Sequence, residues 1–289
     1  MLDFTELFFY VYDFCKFFLK WWEKQLLNNT RISKRKRLTR MHLAEIATII
    51  IGFHGSNMKC FKSYYLYLLR NHRKDFNLVS YDRFITLMKR AFPVVLALFE
   101  ALKADATAIN FADSTPYEVC RYCRSNRHKV FAALADRSRN SMGWFFGMKL
   151  HFIFNEHGEI VRLAITKAST DDRKGLKLMI NGIFGKIYAD RGYLGKQFFK
   201  DLFAKGIQVI TRIRKNMKNK LLHVADKICL KKRMIIESIF SSIKSCGTFV
   251  HSRHRNIVNA LCHILSALIF YQLRENKPSF LEKARLKAS

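Results

Sequence analysis

Acidic side chains are scarce in this chain. Its 289 residues hold 22 Asp and Glu against 52 Lys and Arg, a formal net charge of +30. Self-repulsion at that level opposes compactness, so a polyanionic partner is expected. Nucleic acid comes first among polyanions, because phosphate binding releases counterions. A disulfide framework is also missing: seven cysteines, an odd number, lie scattered in a chain of ordinary size, as in a reducing cytosol. No secretory signal opens the sequence, since Asp3, Glu6 and Asp13 interrupt the first apolar stretch. Long apolar runs without charge or polar breaks are absent too. Phe8 to Trp22 contains Asp13, Lys16 and Lys20, and Ile257 to Leu273 contains Asn259, His263 and Gln272. Both read as buried helices rather than membrane spans. No internal repeat occurs. What is present is a composition 49% hydrophobic and 14% aromatic, which excludes a disordered chain.

The first hundred residues carry helical periodicity. Phe8, Val11, Cys15, Phe18 and Trp22 recur every three or four positions, one apolar face of a helix. That stripe reads as core, with a dimer seam as the second possibility. The basic run from Thr30 to Arg40 is either a solvated linker or a DNA-backbone contact. Met41 to Phe53 and Met58 to Arg70 predict two more helices, and their intervening Gly52-to-Ser56 turn allows a helix-turn-helix reader. Ser80 can cap a fourth helix, which Pro93 is expected to kink or break.

Near residue 105 the pattern changes. Thr107 to Asp113 is short, apolar and ends at an acid. Trp144 to Asn155 and Ile160 to Lys167 predict a hairpin around the Glu156–Glu159 turn. A helix from Ser169 to about Ile183 follows, with Asp171 and Asp172 as caps, or with one of them near a metal site. Then come a strand from Lys186 to Asp190, a helix from Lys196 to Ala204 and a strand from Ile207 to Ile213. Helices over Lys231 to Lys244 and Asn256 to Leu273 complete the series. A three-stranded meander followed by alternating units implies an α/β fold: a ribonuclease-H-like mixed five-stranded sheet flanked by helices, preceded by an all-helical N-terminal domain. The expected division is residues 1–104 as a helical, DNA-binding region, 105–278 as the sheet domain and 279–289 as a basic tail.

Two predicted strands end in Asp, although an apolar strand is a costly place for a carboxylate. If the strands of Asp113 and Asp190 are parallel neighbours, both acids face one cleft. Two such carboxylates repel unless a cation lies between them, and hard, oxygen-seeking Mg2+ or Mn2+ suits them. A third acid, Glu237, lies beside the apolar face formed by Ile236, Ile239, Phe240 and Ile243. Its plainest partner is Arg233, one helical turn back. The segment from Tyr117 to Arg139 is strongly basic and is either a DNA contact or a solvated loop. Cys120, Cys123 and His128 are too few, and wrongly spaced, for a zinc knuckle.

These residues resemble those of DDE transposases of bacterial insertion sequences. The resemblance rests on Asp113-Ser114-Thr115-Pro116, on Ala189-Asp190-Arg191-Gly192-Tyr193, and on Arg233, Glu237 and Lys244 spaced as in the family's helical signature. Where that signature usually has Tyr ahead of the Arg, this chain has Leu230. The intervals are also family-like, with 76 residues between Asp113 and Asp190 and 46 between Asp190 and Glu237. Met142 to Gly147 and His251 to Asn256 extend the likeness. It covers residues 105–278 well and the N-terminal part loosely.

The resemblance implies a ribonuclease-H-like enzyme with catalytic acids Asp113, Asp190 and Glu237 holding two Mg2+ or Mn2+ ions. Two ions so held activate the attacking oxygen and stabilise the leaving one. Water would free a 3′ hydroxyl at the transposon end, and that hydroxyl would attack target DNA. Arg191, Arg233, Lys244, Arg253 and Arg255 would contact DNA. Transposon ends and target DNA are then the partners, a homo-oligomer on DNA is expected, and the protein would act in the cytoplasm at the nucleoid. A nuclease on the same core and an inactive DNA-binding derivative remain the alternatives.

Overall fold

The computed structural model describes residues 3–29, 39–140, 142–213, 222–246, 249 and 254–280. Contacts divide the chain into two compact units: Met1–Leu102 with Ile243–Glu275, and Lys103–Ser242 with Asn276–Ser289. This differs from the linear division above, because the last apolar helix groups with the N-terminal helices. The basic run over 30–38 lies outside the described residues, as does Arg253.

The helical unit holds α1 (Phe4–Asn29), α2 (Leu43–Phe53), α3 (Phe61–Asn71), α4 (Tyr81–Leu102) and, near the C-terminus, α9 (Ile257–Gln272). Helix α2 is apolar all round and buried on nearly every face, so it lies at the centre of its unit. Its start is fixed by a capping box: the His42 Nδ1 atom accepts from Ala44 N, and His42 N donates to the Glu45 carboxylate at 2.6 Å. Helix α4 continues through Pro93, because buried Met88, Ala91, Val94, Val95 and Leu98 pack on both sides of it. Helix α9 buries thirteen residues, and two of its side-chain amides bond to α4: Asn259 Nδ2 donates to Ile85 O and Gln272 Nε2 to Leu102 O. A helix with no polar face needs cover on all sides, which explains its place here.

Around the α2 C-terminus, His54 and His263 are buried and His254 is part-buried. Ring centroids lie 5.6 Å apart for His54 and His263 and 4.6 Å for His254 and His263. His54 Nδ1 approaches Cys246 O at 3.3 Å, and Phe53 and Phe61 meet the His263 ring edge to face. Burial holds His54 and His254 down to about 4 and His263 well below the usual histidine range.

The second unit is a mixed sheet of β1 (Ile109–Arg121), β2 (Asp136–Asn140), β3 (Gly143–Asn155), β4 (Ile160–Lys167), β5 (Gly185–Ala189) and β6 (Ile207–Thr211). Strands β2 and β4 share one edge of β3, β2 against Gly143–Gly147 and β4 against Met148–Phe154. The other edge of β3 pairs antiparallel with β1, followed by parallel β5 and β6. The sheet is therefore five strands wide, as expected, with β2 as an unforeseen addition. One face packs α5 (Asp172–Lys177) and α6 (Lys196–Phe203) over Ala112, Ile153, Val161, Leu176, Ile187, Ala189 and Phe198. On the other, Phe111 lies beside Tyr188 and stacks on Phe280, and Phe152 and Phe154 meet Phe240.

Three predicted elements differ. Strand β1 does not stop at Asp113 but runs to Arg121 against β3. Helix α5 is much shorter than predicted. The helix expected over Lys231 to Lys244 is two, α7 (Val224–Lys232) and α8 (Ile235–Lys244), broken at Arg233 and Met234. Among the described residues no helix is long and apolar enough to cross a membrane.

The depressed histidines set a pH dependence. Neutral in the fold and protonated when unfolded, they contribute stability that is complete above about 6.5 and lost as pH falls towards about 4. His263→Phe should flatten that loss. Thermal unfolding by far-UV circular dichroism across this window, wild type against variant, checks it; parallel curves would refute it.

Candidate active site

Asp113 stands in mid-strand because the backbone of β1 is pinned on both sides. Asp113 faces Phe152 of β3, and β1 pairs with β5 in the register Ile109 to Lys186, Asn110 to Ile187 and Phe111 to Tyr188. Continuing that offset of 77 sets Asp113 level with Asp190, the residue immediately after β5. Side chains alternate along strands, so these two carboxylates share the face of Phe111 and Tyr188. The strands are parallel neighbours, the condition under which the two acids meet.

A cation does lie between them, and it is Arg233. Its Nη1 donates to Asp113 Oδ2 at 2.8 Å, and its Nη2 lies 3.5 Å from Asp190 Oδ1. The helix break explains this geometry. Arg233 caps the C-terminus of α7, and α7 is tied to the sheet by its buried Asp226. Asp226 Oδ1 accepts from Tyr188 Oη at 2.7 Å and from Lys186 Nζ at 2.8 Å. Leu230, at the place of the family's Tyr, is buried, and its carbonyl accepts from Arg212. The expected ion pair along a continuous helix from Arg233 to Glu237 therefore does not form. Glu237 is exposed on α8 and makes no ion pair among the described residues, while Ile236, Ile239 and Phe240 turn inward.

A further acid joins the cluster from the other side. Asp171 caps α5 and pairs with Arg173, but Asp172 turns to the sheet. Its Oδ1 accepts from Ser114 Oγ at 2.6 Å and lies 3.3 Å from Lys149 Nζ and 3.7 Å from His151 Nδ1. Close approach of α5 requires Gly175, because a Cβ there would fall 2.3 Å from the His151 ring nitrogen. Lys149 Nζ also donates to Thr170 O, which fixes it at the α5 N-terminus. Sequence reading took Asp171 and Asp172 as caps, with a place near the metals as the second reading for one of them, and did not single out Lys149 or His151. The adjacency of Asp171 and Asp172 was the available signal, since one N-cap needs one carboxylate.

The cluster holds Asp113, Asp172 and Asp190 against Arg233 and Lys149, so it keeps negative charge inside a strongly basic chain. Its electrostatics agree. Asp113 accepts from Ser114 N at 2.8 Å and from Arg233, yet burial, helped by Asp190 and Asp172, pushes its carboxyl up to about 6. Tyr193 lies buried behind the acids, and its hydroxyl has no hydrogen-bond partner among the described residues. Burial and then the charge of Asp113 and Asp172 push that hydroxyl well above the usual tyrosine range. An under-neutralised pair of aligned carboxylates fits a hard divalent cation. Among the described residues, however, no three His, Cys, Asp or Glu side chains converge as a metal cluster.

The other expected DNA contacts stand on different elements. Arg191 is exposed directly after Asp190, Lys244 ends α8, and Arg255 is exposed ahead of α9. Cys120 is part-buried and Cys123 exposed, both as free thiols.

Residues 103–257 match the family described as "Transposase DDE domain". No curated protein sequence matches the chain. Among solved structures, the chain is similar to one in the cryo-EM structure of a piggyBac transposase synaptic complex with hairpin DNA. The TM-score is 0.50 at 8% identity, over 88% of this chain and 70% of that one.

Asp113 also gives the site a stability signature in metal-free protein. Its folded pKa is raised, so its contribution is full below about 4 and is lost as pH rises through about 6. Asp113→Asn should remove that loss, on the order of 2 kcal/mol. Urea unfolding in chelator at both ends of the window measures it, and equal slopes in the two proteins would count against the buried setting.

Proposed function

The chain belongs to the transposase DDE-domain family, and we propose that it cleaves an insertion-sequence end and joins it to target DNA in a metal-dependent reaction. The observation that carries this reading is the parallel register of β1 and β5, which aligns Asp113 with Asp190. The net charge of +30 supports DNA as the partner, as does the DNA complex of the similar piggyBac structure. The setting would be the cytoplasm, at the nucleoid.

Asp113 and Asp190 would hold Mg2+ or Mn2+, with Glu237 as the third acid from α8. Bound there, two such ions would supply a metal-lowered water pKa and charge stabilisation on both the attacking and leaving oxygens. The chain's own groups do the rest. Asp172 keeps Lys149 beside the acids, where an ammonium can take a DNA phosphate. Ser114 N holds one oxygen of Asp113 and fixes which lone pairs face the cleft. Arg233 and an incoming cation compete for the same carboxylates. Its guanidinium therefore stabilises the metal-free site, and once displaced it stands at hand for phosphate. In this proposal the helical unit binds the transposon ends. Helix α3 offers exposed Lys62, Tyr67 and Arg70 for the purpose, and exposed Arg255 lies ahead of α9, with Arg253 two residues before it in the sequence.

Labelled DNA from the flanks of the gene, incubated with protein and Mn2+, should be nicked and then joined. Asp113→Asn, Asp190→Asn and Glu237→Gln should each reduce both steps to background. Cleavage without joining would favour a nuclease on the same core. Salt-sensitive binding without cleavage would leave an inactive DNA-binding derivative. Arg233→Ala should tighten Mn2+ binding about fivefold by calorimetry, since it removes the competing cation, while slowing cleavage. Unchanged Mn2+ affinity would remove Arg233 from this role.

A further inference from the structure

Helix α1 bears two apolar stripes, and the helical unit covers one. Leu7, Val11 and Cys15 face inward with 3%, 0% and 0% exposure. Val11 and Cys15 belong to the stripe read from the sequence as core; Leu7 was not part of it, and Trp22 at the far end of that stripe is exposed. Tyr10, Phe14, Phe17 and Trp21 follow at intervals of four, three and four, the spacing of a helix–helix seam, on a different face. Tyr10 is 44% exposed, Phe17 75% and Trp21 55%; Phe14 is part-buried and stacks on Phe18. A row of large rings left in water marks an interaction surface.

The charge of α1 says what fits it. Phe4–Asn29 carries Glu6, Asp13 and Glu23 against Lys16, Lys20 and Lys24, a net charge of zero inside a chain of +30. Such a surface offers little to a phosphate backbone or an anionic lipid. Its charges are also polarised. Helical periodicity puts Glu6, Asp13, Lys20 and Lys24 on one flank of the exposed stripe, the acids in the first half and the lysines in the second. That arrangement is complementary to itself reversed. Setting Tyr10 opposite Trp21 of a second copy sets Phe14 opposite Phe17. The same register brings Asp13 towards Lys20 and Glu6 towards Lys24, twice each by symmetry.

The geometry points to α1 as a self-association surface, pairing antiparallel with α1 of a second copy of this chain. This inference is independent of the reading of the active site. One helix pair is small beside the ~1,200 Å2 lower bound of stable interfaces, so the dimer should be concentration-dependent.

Sedimentation equilibrium of the full chain at physiological salt tests this without DNA. Wild type should dimerise reversibly. Phe17→Lys with Trp21→Lys, both at exposed positions, should raise the dissociation constant at least about tenfold with unchanged circular dichroism. Asp13→Lys should weaken the dimer, and adding Lys20→Asp to it should restore affinity. A wild type that stays monomeric overturns the proposal. So does a dimer indifferent to the aromatic changes, a double charge exchange no better than the single one, or a monomer that instead sediments with phosphatidylcholine vesicles.

Discussion

The site depends on parallel pairing between β1 and β5. Parallel strands keep a constant offset, so one register decides which residues stand level. Here it sets two carboxylates side by side at the end of a five-residue strand. Everything nearby answers the repulsion this creates. Arg233 enters from the end of α7, Ser114 N holds Asp113, and Lys149 accompanies Asp172. Parallel strands need a crossover, and the connection from β4 through α5 supplies both that crossover and Asp172.

Arg233 shows how local helix structure and chemistry are coupled. One continuous helix would have spent its guanidinium on Glu237 a turn away. Ending α7 at Arg233 and restarting at Ile235 sends it to Asp113 and Asp190 instead. Asp226, buried against Tyr188 and Lys186, anchors α7 for this purpose. Two helices and one strand thus hold a single cation where a partly buried carboxylate would otherwise be costly.

What the sequence made legible follows from range. Strands β3 to β6 alternate or end in turns, and short-range pattern locates them. Asp113 and Asp190 were visible because acids are rare here and each closes an apolar run. Strand β2 was hidden, since Asp136-Arg137-Ser138-Arg139-Asn140 has no apolar alternation and forms only because β3 offers it an edge. The link from Asp172 to Ser114 and Lys149 spans tens of residues and leaves no local periodicity. Helix α9 was readable as buried, but nothing local says which unit it completes. The break at Arg233 is also silent, because Lys231 to Met234 carries good helix formers.

Helix α9 has a consequence for how the protein is made. Its thirteen buried residues complete a helical unit whose other members are synthesised first. Most of the sheet unit is translated between them, and its last part, Asn276–Ser289, follows α9. The N-terminal helices must wait, with α2 and α4 uncovered, until α9 has emerged. A message shortened before residue 257 would therefore lack both the helix that completes the helical unit and the Phe280 ring that stacks on Phe111 of the sheet.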